Sequence, residues 1–348
     1  MTMRIWEGYQ KGVNFGGWLS QFEKATGEHF ETFITEDDFR AVSKMGFDHV
    51  RIPVDFVMLE SDDEKAQRNP LGYEYLHRSV SYCRKYGLHM LLDLHEAYGY
   101  SFDPLKDMDR EKFFYDRDLQ QRYRSLWCSI ASEFREDTDI VAFELINEVV
   151  LSAVYEAWNQ VAAETIAAIR EITPDAWIVV GGVRYNNVNA VKLLGKPADD
   201  RIVYNFHCYE PLVFTHQGAY WVKDMPANFR MTYPDSLENY RKESSRFSEE
   251  LAGEIYNEAV TGIDAGFFKT IFRPAVEAAE AYDIPLYCGE YGVIDLAGER
   301  DVLNWFRDIH EAFEAYGIGR ALWNYREKDF GITDSRLDPV RDELQRYF

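Results

Sequence analysis

Eight short runs of apolar and β-branched residues recur along the chain, separated by segments of helical periodicity. The runs are GVNFGG from Gly12, FDHVRIP from Phe47, LHMLLDLH from Leu88, IVAFELINE from Ile140, AWIVVGG from Ala176, RIVYNFHCY from Arg201, IPLYCGEYG from Ile284 and IGRALWN from Ile318. Short apolar runs of this kind are typical of parallel strands buried on both faces. Eight strand-then-helix units predict an α/β fold, the (β/α)8 TIM barrel.

Three of the intervening segments have helix signals. Thr35–Met45 opens with a Thr-x-x-Asp capping pattern, Leu71–Tyr86 follows the second run, and Leu151–Arg170 repeats apolar residues at steps of three to five. A doubly wound parallel sheet is the alternative architecture. It would need a glycine-rich phosphate-binding turn after its first strand, and VNFGGWLS does not provide one.

The connection after the sixth run differs from the others. Between Glu210 and about Ala265 there is no apolar run, and a bare loop of that length is unusual inside a compact barrel. Apolar residues at steps of four predict a helix near Ser245–Val260. We therefore predict a single catalytic barrel over residues 1–348, with a helical subdomain, residues 211–265, inserted over the barrel mouth.

The charge balance restricts the class of partner. The chain has 38 basic and 60 acidic side chains, a net charge of −22. Such a surface repels phosphate backbones and anionic lipids, so we expect neither nucleic acid nor a membrane as partner, but a neutral substrate. Aromatic residues make up 16% of the chain, and some should line a cleft that stacks on sugar rings. Trp18 and Trp221 could each stack or pack, and we expect a substrate role for Trp221.

The four cysteines, Cys83, Cys128, Cys208 and Cys288, have no CxxC spacing and predict neither a zinc site nor a disulfide framework. No metal or cofactor is expected. The N-terminus has no apolar stretch behind Arg4, and no run approaches a membrane span. As written, the chain is expected to be cytoplasmic, and it would be a secreted protein if a leader had been removed.

Polar residues stand at the ends of most of the apolar runs. They are Arg51, His95, Asn147 with Glu148, His207 with Tyr209, Glu290, and Trp323. In TIM barrels the C-terminal ends of the strands form the active site. The runs therefore predict one cleft with two glutamates, Glu148 and Glu290.

Strand alternation extends this prediction into the barrel. If Arg51 points inward, the same parity turns Asp93 and Glu144 inward in their own strands. Charges inside a barrel persist only when they are paired and hydrogen-bonded. We therefore predict a buried network in which Arg51 and the histidines balance Asp93, Glu144 and the two glutamates of the cleft.

Two carboxylates at a barrel mouth suit glycoside hydrolysis. One carboxyl group protonates the leaving oxygen while the other attacks the anomeric carbon or activates water. Val149 and Val150 would desolvate Glu148 and raise its pKa, which favours Glu148 as the acid/base and Glu290 as the nucleophile. The residues alone leave the reverse assignment open.

The motifs GVNFGGW, RIP, DLH, the Asn147-Glu148 pair, YNFHCYEP, YCGEYG and ALWNY occur in this order. In this order they resemble the glycoside hydrolase family 5 cellulases, with the clostridial endoglucanase C type as the nearest likeness. The resemblance covers essentially the whole chain. It implies a retaining endo-β-1,4-glucanase that hydrolyses cellulose-like or mixed-linkage β-glucan through a glycosyl-enzyme, without metal or cofactor.

The resemblance also implies roles for individual residues. Glu148 matches the acid/base, Glu290 the nucleophile, and Asn147 the asparagine that binds the sugar 2-hydroxyl. The other matches are Arg51 and Tyr209, which hold the nucleophile, His95 and His207, which line the cleft, and Trp323, the platform under the sugar.

Several alternatives remain open from the sequence. A β-1,3-glucanase is one, because VNFGGWL also resembles exo-acting members of the family, and a glucomannanase is another. Glu96 stands where many relatives have a second histidine, which leaves the linkage preference undecided. A metal-dependent barrel hydrolase is more remote, since Val13-Asn14-Phe15 replaces its His-x-His. Oligomeric state and endo or exo action are not encoded in any pattern we find.

Overall fold

Eight parallel strands close into a barrel in which each strand pairs with its neighbours in sequence. In the computed structural model, which describes residues 3–247 and 252–348, they are β1 Lys11–Asn14, β2 His49–Asp55, β3 His89–Glu96, β4 Val141–Glu144, β5 Ile178–Gly181, β6 Ile202–Cys208, β7 Leu286–Tyr291 and β8 Gly319–Leu322. Each strand overlaps one of the eight predicted runs, and β1, β2 and β3 extend one or two residues beyond theirs. The prediction of a TIM barrel is confirmed.

Helices cover the outside of the barrel. The longer ones are Glu36–Lys44, Pro70–Tyr86, Arg117–Glu133, Tyr155–Arg170, Leu237–Ser244, Ala265–Tyr282 and Glu299–Tyr316, and the shorter ones include Gly27–Thr32, Phe56–Leu59, Leu212–Thr215 and Arg341–Leu344. All three predicted helices are present. At the first, the Asp38 carboxylate accepts hydrogen bonds from the Thr35 backbone N–H at 2.8 Å and hydroxyl at 2.9 Å, as the capping pattern predicts. The third begins late, at Tyr155, after a 3-10 turn at Ser152–Val154.

The two ends of the barrel differ in chemistry. At the N-terminal end the interior is filled by aromatic rings: Trp6 stacks on Tyr9 with ring centroids 3.8 Å apart, and Tyr287 meets Trp6 edge-on. The Tyr9 hydroxyl closes this end by donating to the Ile140 carbonyl at 2.9 Å. At the C-terminal end the buried residues include the charged side chains of Arg51, Glu144 and Glu290.

The connection from β6 to the Ala265–Tyr282 helix is the longest in the described chain. It contains Leu212–Thr215, Leu237–Ser244 and a 3-10 turn at Gly253–Tyr256. Of the helix predicted near Ser245–Val260, residues 248–251 lie outside the described part, and the 3-10 turn is the regular structure found in the rest. The Leu237–Ser244 helix was not predicted. That the connection forms a subdomain of its own, over residues 211–265, stays a prediction.

Part of this connection packs beside the barrel mouth. Ala219 and Val222 form one apolar cluster with Trp323 and Phe330, and Trp221 lies against it. Among the helices that the structure describes, none combines the length and the apolar composition that crossing a bilayer requires.

Candidate active site

One buried guanidinium organises the charges at the C-terminal end of the barrel. Arg51 donates to both oxygens of Glu144, at 2.7 and 3.0 Å, and lies 3.0 Å from Asp93 and 2.9 Å from Glu290. Burial by itself would lower the pKa of Arg51, but Asp93, Glu144 and Glu290 raise it well above its usual range. The guanidinium therefore stays charged. The prediction that Glu144 points into the barrel and pairs with Arg51 is confirmed. The prediction that histidines also balance these charges is wrong, because burial lowers the pKa of His95 to about 3 and that of His207 to about 4, which leaves both rings neutral.

Glu290 reaches the cleft because the strand pairing shifts by one residue. Tyr287 points into the barrel, where its hydroxyl lies 2.6 Å from His49, so strict alternation would turn Glu290 outward. The pairing of β6 with β7 shifts at Phe206/His207, and His207 then faces Glu290. The shift is a β-bulge, a common device beside active sites. The bulge turns the Glu290 carboxylate toward the barrel mouth.

Glycine is required at the bulge. A Cβ on Gly289 would lie 2.8 Å from the Asn205 Nδ2 and 3.0 Å from His207 Nε2. Both oxygens of Glu290 accept hydrogen bonds in this position. Arg51 donates to Oε1 at 2.9 Å, and the Tyr209 hydroxyl donates to Oε2 at 2.9 Å. A carboxylate that accepts such bonds is stabilised in its ionised form.

Glu148 has a different environment from Glu290. Its Oε1 lies 2.7 Å from His207 Nδ1, and no arginine or lysine pairs with it in the described chain. Burial raises the pKa of Glu148 to about 7. Burial also raises the pKa of Glu290, but the charge of Arg51 acts against that rise. Two neighbouring carboxyl groups with unequal environments are suited to acid and nucleophile roles.

His95 and Trp323 form one wall of the cleft. Their rings are parallel, with centroids 5.8 Å apart and an interplanar angle of 2°. His95 Nδ1 lies 2.5 Å from Asp93, and burial lowers the pKa of His95 to about 3, so the ring is neutral. Its Nε2 is buried and has no hydrogen-bond partner among the described residues. This nitrogen is available to a substrate hydroxyl.

The structure separates the two tryptophans considered for sugar stacking. Trp18 is buried and its indole donates to the Phe30 carbonyl at 2.9 Å, so it packs into the fold. Trp221 is half-buried beside the mouth, next to Tyr220, whose side chain is 74% exposed. Trp221 thus lies where the sequence placed it, and its contact with substrate stays a prediction.

Two asparagines of the site were missed by sequence reasoning. Asn14 accepts from Arg51 at 2.9 Å, and an asparagine within the first apolar run, GVNFGG, could have indicated this. Asn186 donates to the Asn147 carbonyl. No sequence signal pointed to it, because the fifth run ends in Gly181-Gly182 without a polar residue.

The site residues therefore come together at one end of the barrel, with their chemistry divided between ionised and neutral groups. Residues 8–329 of the chain match the family described as cellulase (glycosyl hydrolase family 5). The chain belongs to glycosyl hydrolase family 5. The resemblance seen in the motifs is confirmed.

Similar proteins of this family cover nearly the whole chain. Endoglucanase C of Acetivibrio thermocellus is 37% identical over 340 residues, 97% of this chain and 96% of the relative. Cellodextrinase A of Ruminococcus flavefaciens is 39% identical over 336 residues, 96% of this chain and 91% of the relative. The structure of endoglucanase Cel5A from Thermotoga maritima aligns with a TM-score of 0.75 and 21% identity, covering 98% of this chain and 97% of that one, and shows the same fold.

The family 5 site predicts a pH dependence. We expect kcat/KM on a β-glucan to fall as the pH rises through about 7, because the raised pKa of Glu148 sets where the proton donor is lost. A pH–rate profile measures this. The control is Glu148→Gln assayed on 2,4-dinitrophenyl β-cellobioside, whose leaving group needs no proton, and its profile should lack the fall near pH 7. A rate that stays constant well past neutral pH contradicts the role of Glu148.

Proposed function

We propose that this family 5 glycoside hydrolase is a retaining endo-β-1,4-glucanase that cleaves cellulose-like or mixed-linkage β-glucan by double displacement. One observation carries the mechanism: an oxygen of Glu148 and an oxygen of Glu290 lie within 4.8 Å of each other. Carboxyl groups of retaining glycosidases are about 5–5.5 Å apart, whereas inverting enzymes need about 6.5–9.5 Å to admit a water. The spacing here supports direct attack by a carboxylate.

In the first step Glu290 attacks the anomeric carbon and the glycosidic bond breaks. Glu148 gives its proton to the leaving oxygen, and a covalent glycosyl-enzyme forms on Glu290. Burial, together with Glu290 and Glu148, raises the pKa of Tyr209 well above its usual range, so its hydroxyl keeps its proton and donates to Glu290. Arg51 offsets the carboxylate charge before attack.

In the second step Glu148 acts as a base instead of an acid. The carboxylate left after proton transfer takes a proton from water, which attacks the anomeric carbon and releases Glu290. Two inversions leave the configuration unchanged. Glu148 is then protonated again and ready for the next cycle.

The sugar is positioned by neutral groups around the two glutamates. Asn147 accepts from Arg51 through its Oδ1 at 2.9 Å, which directs its amide nitrogen toward the sugar 2-hydroxyl. The Nε2 of His95 can accept from another hydroxyl, and Trp323 offers an apolar ring face. His207 contacts Glu148 and lies 3.7 Å from Glu290, between the acid and the nucleophile.

The substrate assignment rests on the relatives named endoglucanase and cellodextrinase, so it needs a direct test. Barley β-glucan, laminarin and glucomannan should be assayed side by side, with product profiling on defined oligosaccharides. We expect barley β-glucan to be cleaved fastest, with internal bonds broken first. Dominant cleavage of laminarin would instead support a β-1,3-glucanase, and dominant cleavage of glucomannan a glucomannanase.

The metal-dependent alternative has its own test. Donor atoms of Glu148, His207 and Glu290 lie within 4.8 Å of one another, close enough to hold a metal ion. The double-displacement mechanism uses all three without one. Activity should therefore survive exhaustive chelation, and loss of activity that returns when a metal is added back would support the alternative.

Trp221→Ala tests the predicted platform at the mouth. We expect KM on long β-glucan chains to rise about 3- to 10-fold, the equivalent of one lost stacking contact, with kcat nearly unchanged. Kinetics on a short aryl cellobioside should not change. Trp177→Ala is the matched control, because Trp177 packs against Trp6 at the closed end of the barrel. An unchanged KM on the polymer would remove Trp221 from the substrate site.

A further inference from the structure

The turn that follows β5 has an unusual backbone. Arg184, Tyr185 and Asn186 have φ values of 58°, 56° and 53°, three consecutive left-handed residues that are not glycine. This conformation is strained for such residues and persists only where the surroundings fix it, often at functional sites. Contacts with the surrounding residues must therefore stabilise this turn.

Neighbouring segments hold this turn against the stretch of chain that contains Glu148 and Val149. The Tyr185 N–H donates to the Val149 carbonyl at 3.1 Å, and the Trp158 indole donates to the Gly181 carbonyl at 2.9 Å. Gly181 leaves room for the Asn186 side chain, because a Cβ at position 181 would lie 2.2 Å from the Asn186 Oδ1. Asn186 is thereby placed inside the barrel mouth, 1% exposed.

The hydrogen bonds of Asn186 determine the orientation of its side-chain amide. Its Nδ2 donates to the Asn147 carbonyl and lies 3.3 Å from His207 Nε2. A carbonyl oxygen can only accept, so the atom at this position must be the amide nitrogen. Its second hydrogen then points to Nε2, which must accept and so carries no proton.

The opposite nitrogen of the His207 ring meets the proposed acid. Burial lowers the pKa of His207 to about 4, so the ring is neutral at working pH and has a single N–H. With Nε2 unprotonated, that hydrogen is on Nδ1, which lies 2.7 Å from Glu148 Oε1. Oε1 is then an acceptor, and the proton of the acid form has to be on Oε2.

We propose that Asn186 is a positioning residue that fixes the tautomer of His207 and thereby keeps the catalytic proton of Glu148 on Oε2, the oxygen not bonded to His207. The proposal rests on the acid/base role of Glu148. In the other tautomer, Oε1–H would donate to Nδ1, and the proton would be shared with the histidine instead of being presented to the glycosidic oxygen. Asn186 acts through His207 and is not itself part of the reaction.

Asn186→Gly tests the proposal, because glycine accepts the left-handed backbone and removes only the amide. We expect kcat/KM on barley β-glucan to fall about ten- to hundredfold, a part of what a general acid contributes. On 2,4-dinitrophenyl β-cellobioside, whose leaving group needs no proton, kcat/KM should not change. The fall of kcat/KM with rising pH should also move to higher pH. Without the Asn186 amide, His207 Nδ1 can lose its proton and accept a hydrogen bond from protonated Glu148, which raises the pKa of Glu148.

The matched control is Arg184→Gly. It relieves the same kind of backbone strain in the same turn and keeps the Asn186 amide, so both substrates should be cleaved at the wild-type rate. A variant that loses activity equally on both substrates, with no shift in the pH at which kcat/KM falls, would mean that Asn186 only stabilises the turn, and the proposal would be wrong.

The tautomer itself can be read by NMR on protein labelled with 15N-histidine. In the wild type, His207 Nε2 should have the shift of an unprotonated nitrogen, and a protonated Nε2 would overturn the proposal. If Asn186→Gly does not fold, Asn186→Asp keeps the side-chain shape and replaces the donor by an acceptor, which should drive Nε2 toward the protonated state. Failure of the proposed function is distinguishable: Glu148→Gln would then lack the dependence on leaving group.

Discussion

Glu290→Gln should lower kcat/KM by about 10⁴- to 10⁶-fold on every substrate, including those with activated leaving groups. Glutamine has nearly the same shape and can still accept from Arg51, but its neutral amide cannot form the glycosyl-enzyme. Because no ester bond to the sugar forms, a better leaving group does not help. The fold should remain, as circular dichroism and thermal unfolding would show.

Glu148→Gln is the control that separates the two roles. This variant should lose activity on β-glucan but keep a near-normal kcat/KM on 2,4-dinitrophenyl β-cellobioside, because that bond breaks without a proton. Its kcat should be low, since no base activates water in the second step. If Glu290→Gln showed this pattern instead, the roles would be reversed.

Arg51→Met should destabilise the protein by about 3–5 kcal/mol, the usual cost of breaking a buried ion pair on one side. Arg51 makes ion pairs with Asp93, Glu144 and Glu290, and its side chain is fully buried. Without it these carboxylates are left uncompensated. Urea unfolding measures the effect, and the lost contact with Glu290 should abolish most activity.

The pH dependence of this loss has a definite sign. Burial already raises the pKa of Asp93 to about 7, although Arg51 opposes the rise. Removing Arg51 raises the pKa of its carboxylate partners further in the folded state. A group whose folded pKa is raised contributes stability at low pH and loses that contribution as the pH rises through the folded pKa. The variant should therefore lose stability from acid to neutral pH more steeply than the wild type.

Arg320→Met is the matched control for this prediction. Arg320 is also buried, but its carboxylate partner is Glu314, whose side chain is 52% exposed and can return to water. We expect a smaller loss of stability and a shallower pH dependence. An Arg51 variant as stable as the wild type at neutral pH would contradict the network.

The barrel and its inner charges could be predicted because strand alternation holds inside strands. Glu144 in β4 lies opposite Asp93 in β3 in the strand register. Both side chains point inward and form ion pairs with Arg51, as strand alternation requires. At the strand end the rule fails for Glu290. From Tyr287, parity would turn this carboxylate outward, and the register shift opposite His207 turns it inward. A bulge leaves no clear pattern in a single sequence, so chemistry and the family resemblance had to identify this residue.

The connections were less predictable than the strands. The Leu237–Ser244 helix was missed because it buries little more than Tyr240 and Ser244, so its apolar pattern is weak, and its start depends on Ser236, which accepts from the Asn239 N–H. The turn carrying Asn186 was missed for another reason. Its conformation depends on residues distant in sequence: the Tyr185 N–H donates to the Val149 carbonyl, and the Trp158 indole donates to Gly181 just before the turn.

Trapping the glycosyl-enzyme tests the double-displacement mechanism without relying on a mutation. A 2-deoxy-2-fluoro cellobioside with a good leaving group slows the second step more than the first, so the covalent adduct should accumulate and be detected by mass spectrometry of peptides. We expect a label on the peptide that contains Glu290, with the peptide containing Glu148 unmodified. A label on Glu148, or no adduct together with products of inverted anomeric configuration, would contradict this prediction.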